Sequence, residues 1–334
     1  MLTRRTLLAA APAATLAPLP ALAAAPTPPP PPATAAEKAS FARYVAGVKA
    51  EAQRAGLRPA TLDRAFAGVS VNTRVIQLDR RQPEFTLTWA EYRSRIVSPL
   101  RVKNGRAMYA RHRRLLGEIS ARYHVAPGVI MGIWGLESNY GVSSGSFNVI
   151  EALATLAWEG RRAKFFRSEL MDALKILNSG DIPPAQMIGS YAGAMGQPQF
   201  MPDSFLKFAV DWNGDGKRDL WENLGDIFAS VANYLAKSGW SGALPWGEPI
   251  TLPGRFNPAL AGREHQRPLS EWAALGVRPA ARVAPTTQAA VLLPGGAGSE
   301  AFLAYHPNFL AIRRYNPSDF YCISVGLIGD AVTV

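Results

Sequence analysis

The stretch that most restricts the fold is residues 127–141, "PGVIMGIWGLESNYG". Proline suits the first turn of a helix and glycine the position past its end, so the segment reads as a helix opened by Pro127 and closed at Gly141. Wound at helical pitch, Ile130, Ile133, Trp134 and Glu137 share one face. That face is apolar, so it turns inward and takes the carboxylate with it. Burial beside Trp134 disfavours the anion, and the negative end of the helix dipole, about one turn away, acts in the same sense. A carboxyl kept protonated near neutral pH is what a general acid for glycosidic cleavage requires. A structural glutamate held by an arginine or a helix N-terminus gives the same signature.

Glycosidases normally use a second carboxylate as nucleophile or base. Glu151, Asp172 and Asp203 are available, but nothing in their surroundings sets them apart from ordinary solvated acids. One acid/base suffices where the substrate carries its own nucleophile.

The rest of the chain reads as mainly α. Of its 334 residues 48% are hydrophobic and 18% charged, which suits one compact domain with an insertion, or two domains. In "RAMYARHRRLLGEISARYH" (106–124), Leu115, Leu116, Ile119 and Tyr123 recur at helical spacing. Further helices are expected over 161–178, about 225–238 and 318–333. Residues 241–300 hold eight prolines and short apolar runs such as "EPITL" and "AAVLL", a small β-rich insertion. The segment "GSYAGAMGQPQFMPDSF" (189–205) is rich in small residues, and Gly193 and Gly196 admit close approach of another backbone or a sugar ring.

The amino terminus has a basic start, an Ala/Leu-rich stretch and an Ala-Leu-Ala site ending at Ala23, the pattern of a cleaved export signal over residues 1–23. Arg4 and Arg5 in "TRRTLL" also resemble a twin-arginine signal, with an ordinary Sec signal as the alternative. Residues 24–36 form a proline-rich, semi-rigid linker before a folded part spanning 37–333. Removal of the signal leaves 34 basic against 25 acidic residues, a net charge of +9. A basic exported protein expects an acidic partner, and without a dense Lys/Arg run or a nucleic-acid motif, nucleic acid is the weakest candidate. Cys322, the one cysteine, excludes an intramolecular disulfide and a thiolate metal cluster, and its distance from the signal excludes a lipid anchor there. These features point to a protein free in the periplasm.

"DWNGDGKRDLWE" (211–222) fits an EF-hand loop. Asp211, Asn213, Asp215, Asp219 and Glu222 take positions 1, 3, 5, 9 and 12, Gly216 takes the sharp turn, and Lys217 offers its carbonyl at 7. Arg218 replaces the usual aliphatic at position 8 and no second loop exists, so a structural Ca²⁺ rather than a sensor is expected. No organic cofactor is implied.

The stretches "GIWGLESNYG", "GSYAGAMGQPQFMPDSF", "DWNGDGKRDLWEN", "SVANYL" and "AIRRYNPSDFY" together resemble the lytic murein transglycosylases of the membrane-bound B type. The resemblance implies a lysozyme-like helical core with an additional helical subdomain and a small β part. It implies cleavage of the MurNAc-β-1,4-GlcNAc bond of peptidoglycan strands without water, in the company of other cell-wall enzymes. Glu137 would protonate the leaving oxygen and then accept the muramoyl 6-hydroxyl proton, closing a 1,6-anhydro ring. By motif position Ser190 and Gln199 would line the site, and Tyr234, Tyr315 and Asn316 would contact sugar or shape the cleft. The competing readings are a hydrolytic muramidase and a non-catalytic, calcium-stabilised peptidoglycan-binding protein.

Overall fold

The computed structural model describes residues 28–81 and 87–334, so the export signal read at residues 1–23 lies outside the described residues. The chain is mainly helical with small antiparallel sheets, as expected. The first helix, α1 (Ala35–Arg54), starts from a reciprocal cap: Thr34 accepts the Glu37 N–H while the Glu37 carboxylate takes the Thr34 N–H. α1, α2 (Pro59–Ala65) and α3 (Thr73–Arg80) form a layer against α7 (Val149–Glu159) and α8 (Ala163–Ser179). α4 (Trp89–Ile96) leads into the long α5 (Pro99–Tyr123), whose Leu116 and Ile119 are fully buried, as their spacing predicts.

At the centre lies α6 (Pro127–Ser138), every residue of which from Val129 onward is buried. It packs against α5, α10 (Leu224–Lys237) and, most extensively, α13 (Asp319–Val332). Glycines allow that last contact. A Cβ at Gly132 would stand 2.2 Å from the Val325 carbonyl oxygen, and one at Gly329 would stand 2.5 Å from that of Gly128. The two backbones therefore touch where side chains would hold them apart. α6 ends three residues before Gly141, because Asn139 and Tyr140 already adopt left-handed conformations, with φ of 51° and 61°. Glu137 is thus the penultimate residue of the helix, closer to its negative end than the sequence suggests.

A four-stranded antiparallel sheet, ordered β3-β6-β5-β4, is built from β3 (Gly247–Ile250), β4 (Arg267–Pro268), β5 (Gln288–Leu292) and β6 (Ala301–Tyr305). Side chains alternate between its faces. Ala289, Val291, Leu303 and Tyr305 cover α11 (Leu269–Ala274) through Trp272, while Ala290, Leu292, Phe302 and Ala304 join the main core. Burial on both faces explains the short apolar runs in a proline-rich stretch. A second, two-stranded sheet pairs β1 (Phe147–Asn148) with β2 (Ile188–Gly189), and the Gly/Ala segment follows into α9 (Pro202–Phe208). The last link, α12 (Asn308–Tyr315), carries the chain from the sheet to α13.

Candidate active site

Glu137 is 5% exposed at the inner end of α6, and the Tyr321 hydroxyl donates to its Oε1 at 2.6 Å. Burial pushes its pKa up to about 8, and the Tyr321 hydrogen bond opposes this without overcoming it. The dominant cause is removal of the carboxylate from water, which favours the neutral acid. The titratable groups whose own equilibria feel Glu137 are Tyr315 and Tyr321, both pushed well above the usual phenol range, first by burial. Among the described residues no carboxylate has a pKa visibly shifted by Glu137. Glu151 instead accepts from Asn72 and Ser70, tying α7 to the start of α3. Asp172 and Asp203 pair with Lys175 and Lys207. The other buried acid of this region, Glu169, is pushed up to about 7 mainly by burial and caps the start of α9 through the Asp203 N–H.

The Gly/Ala segment folds back on itself and meets the helix of Glu137 through Gln197, which accepts from Trp134 Nε1. Ser190 donates its N–H to the Ala194 carbonyl, and Met195 and Phe200 exchange backbone hydrogen bonds across the turn "MGQPQF". Gly196 meets the loop after Asp211, where a Cβ would stand 2.4 Å from the Leu220 carbonyl oxygen. A Cβ at Gly193 would strike Leu153 at 2.3 Å. The close approaches these glycines permit are thus to the protein itself. Gln199 follows Pro198 in a left-handed conformation, φ 51°, and its amide donates to Ser144 and Gly196 carbonyls at 2.9 and 2.8 Å. Both amide protons are engaged, which leaves its side-chain carbonyl available as an acceptor. Ser190 Oγ accepts from the Ala192 and Ala194 N–H groups, so its own proton is the group it can still offer.

Tyr234 and Tyr315 form an aromatic floor with ring centroids 4.7 Å apart, each 5.7 Å from Phe200. Their hydroxyls donate to the Arg314 and Pro198 carbonyls, both at 2.5 Å. Tyr315 therefore holds the turn that presents Gln199. Asn316, 2% exposed, accepts from the Ser318 N–H and sets the start of α13. That helix carries Tyr321, which the motif reading passed over although it stands last in "AIRRYNPSDFY". The available signal was its place five residues after Asn316, on a helix apolar enough to be central.

Gln197, with Ser190 and Gln199 one of the polar groups of the Gly/Ala segment, was given no site role by the sequence reading. It accepts from Trp134 Nε1 at 2.7 Å and donates to the Trp221 carbonyl at 2.7 Å, while its N–H donates to the Leu220 carbonyl at 2.8 Å. One amide thus ties the helix of Glu137 to the loop over 211–222.

In that loop the first half has the compact form of a cation-binding turn. Asp211 accepts from the Gly214, Asp215 and Gly216 N–H groups, and Asp215 from Asn213 and from the Lys217 N–H. The second half is used differently. Asp219 Oδ1 accepts from the Trp221 and Glu222 N–H groups, Glu222 is exposed, and Arg218 turns away to an ion pair with Asp181 at 2.7 Å. Buried Asp226 instead accepts from the Trp212 and Asp219 N–H groups, and its pKa is raised by burial first and then by Asp211 and Asp215 nearby. Among the described residues no three acids, histidines or cysteines stand together as a ready metal cage. Asp211, Asn213, Asp215 and the Lys217 carbonyl are the oxygen donors that the loop pattern assigns to its first half, and Asp226 stands near enough to Asp211 and Asp215 to feel their charge.

Residues 40–330 match the transglycosylase SLT domain family. Membrane-bound lytic murein transglycosylase B of Escherichia coli (strain K12) is 34% identical over 253 residues, 74% of this chain and 68% of that protein. SltB3 from Pseudomonas aeruginosa, solved in complex with NAG-NAM-pentapeptide and with NAG-anhNAM-pentapeptide, superposes with a TM-score of 0.85 at 46% identity, over 88% of this chain and 79% of that one. The Escherichia coli lytic transglycosylase SLT35, solved in complex with calcium, gives a TM-score of 0.74 at 30% identity, over 89% of this chain and 94% of that one. A family match over residues 40–330, with a fold shared at this level over nearly the whole described chain, places the protein: it belongs to the transglycosylase SLT domain family and is a lytic transglycosylase.

Proposed function

We propose that this chain is exported and cleaves the MurNAc-β-1,4-GlcNAc bond of peptidoglycan, with Glu137 as its sole acid and base and a 1,6-anhydro-MurNAc end as its product. The observation that carries the reading is the state of Glu137: buried, holding its proton to about pH 8, with no second carboxylate shifted by it among the described residues. A relative solved with NAG-anhNAM-pentapeptide supports the same product class.

In the first step the Glu137 proton passes to the glycosidic oxygen as the bond to muramoyl C1 breaks, releasing the GlcNAc 4-hydroxyl and leaving positive charge on the muramoyl ring. In the second the Glu137 carboxylate takes the proton of the muramoyl 6-hydroxyl as O6 bonds to C1. The acid is restored and no water is consumed. Tyr321 fixes the carboxyl orientation and favours the anion that forms between the steps. Gln199 offers a carbonyl and Ser190 a hydroxyl proton, a pair suited to an acetamido group, while Tyr234, Tyr315 and Asn316 hold the turn and helix that carry the contacts.

A calcium ion held by Asp211, Asn213, Asp215 and the Lys217 carbonyl, with Asp219 and Glu222 completing the twelve-residue reading or Asp226 closing the site, would supply cross-linking charge to the loop and no reaction step. Export through the segment 1–23, release near Ala24 and residence in the periplasm without a lipid anchor complete the proposal.

The test is turnover of purified peptidoglycan by Glu137→Gln. Loss of one acid–base group typically costs about 10²–10⁴-fold, and a group serving both steps should cost at least that with folding intact. Near-parental turnover would move the site elsewhere.

A further inference from the structure

The excess charge of this protein is concentrated in one place. Residues 89–123, covering α4 and α5, hold nine Lys/Arg against two Glu, a net +7 of the formal +11 of the whole chain. The inner side of α5 is spent on the core through Gly105, Leu116 and Ile119, with His112 packed against Trp134. The outer side carries Lys103, Arg106, Arg111, Arg113, Arg114 and Arg122, all exposed. Arg114 faces Glu118 at 3.8 Å and Arg106 donates to the Ala331 carbonyl, whereas Lys103, Arg111, Arg113 and Arg122 have no acidic partner among the described residues.

Between these cations the outer face is nearly bare. Ala107, Ala110, Gly117 and Ala121 are exposed and short, so nothing bulky stands between a facing surface and the helix. From Lys103 to Arg122 the basic side spans about 28 Å at 1.5 Å per residue and is convex, with Lys103 and Arg114 along its middle, Arg106 and Arg113 on one flank and Arg111 and Arg122 on the other. A single glycan or peptide strand is normally received in a concave site. A convex helix side with short residues at its middle and long, unpaired cations along both flanks instead matches an extended anionic plane, which the side chains can reach past the Ala/Gly strip. Leu100, 66% exposed at the start of the same helix, adds an apolar residue at one end of the row.

We propose that the outer face of α5 docks this enzyme on an anionic phospholipid surface. The contact is electrostatic and reversible, and it stands on the charge distribution alone, independently of the chemistry at Glu137. No helix among the described residues is long and apolar enough to cross a membrane, so such a contact would be peripheral.

The test is sedimentation of the full chain with phosphatidylglycerol–phosphatidylcholine vesicles and with phosphatidylcholine vesicles alone. A basic side chain near an anionic bilayer is worth about fivefold in partitioning. The combined substitution Arg111→Gln, Arg113→Gln, Arg114→Gln should therefore weaken binding to the anionic vesicles on the order of 100-fold. Glutamine keeps nearly the helix propensity of arginine, so the melting temperature and peptidoglycan turnover should stay at parental values, which separates this test from that of Glu137. Raising salt to 1 M, where screening acts within about 3 Å, should release the parent as well. Three results would each overturn the proposal: equal binding to phosphatidylcholine alone, undiminished binding by the triple variant, or salt-sensitive binding confined to purified cell-wall sacculi.

Discussion

Replacing Glu137 by glutamine should change not only turnover but the way stability depends on pH. The carboxyl keeps its proton to about pH 8 in the fold, against 4.5 for the unperturbed group. A group whose folded pKa is raised contributes stability that is fully present below the unfolded value and is lost as pH rises through the folded one. Each pH unit in that window is worth about 1.4 kcal/mol, so the parent should lose on the order of 5 kcal/mol between pH 4.5 and 8 through this residue. Glutamine has the same shape and never ionises. The variant should therefore melt close to the parent at pH 4.5 and above it at pH 8, by roughly 10 °C if each kcal/mol moves a domain of this size by about 2 °C. Glu169, pushed up to about 7, adds a slope of the same sign, but it is present in both proteins and cancels in their difference. The assay is thermal unfolding by circular dichroism across this pH range. A melting difference that does not grow with pH would refute the claim that Glu137 is buried as a neutral acid.

Tyr321→Phe removes the hydrogen bond that favours the Glu137 anion, so the alkaline limb of the pH–rate profile should move above that of the parent while turnover falls; a limb moved downward would contradict the assignment. Gln197→Ala leaves Trp134 Nε1 and the Trp221 carbonyl without their described partner. At about 1–3 kcal/mol per orphaned group, it should lower the melting temperature by about 5 °C and reduce turnover, checked by calorimetry and kinetics. Chelation of calcium should lower the parent melting temperature by about 5 °C, the equivalent of removing a ligand present at about a hundred times its Kd. Asp211→Ala should abolish that response, and an unmoved transition would end the calcium proposal.

What the sequence made readable was local. Pro127 and the shared face of Ile130, Ile133 and Trp134 were enough to orient Glu137 inward, since both depend only on helical pitch. The partner of that carboxyl was out of reach, because Tyr321 lies 184 residues further on. Its approach depends on backbone contact of α6 with α13 at Gly128, Gly132, Val325 and Gly329. A glycine in an apolar helix gives no sign of which helix it admits. The loop over 211–222 shows a different limit. Its spacing matches a twelve-residue pattern at every ligand position, but spacing does not tell that Arg218 pairs with Asp181 or that Asp219 caps its own turn. Asp226 faces the first half from α10, beyond the pattern's last position. Tyr234 and Tyr315 were readable as aromatic residues near the site, but not that their hydroxyls would be held by backbone carbonyls.

The most direct measurement on the chemistry at Glu137 is digestion of purified peptidoglycan in ¹⁸O-labelled water, followed by mass spectrometry of the released sugars. If Glu137 passes its proton out and takes one back from the muramoyl 6-hydroxyl, the new muramic ends are anhydro rings that carry no label and lack one water relative to hydrolysis products. New ends that are reducing muramic acid with ¹⁸O at C1 would mean that water is the nucleophile. A second carboxylate, which the described residues do not show coupled to Glu137, would then have to activate it.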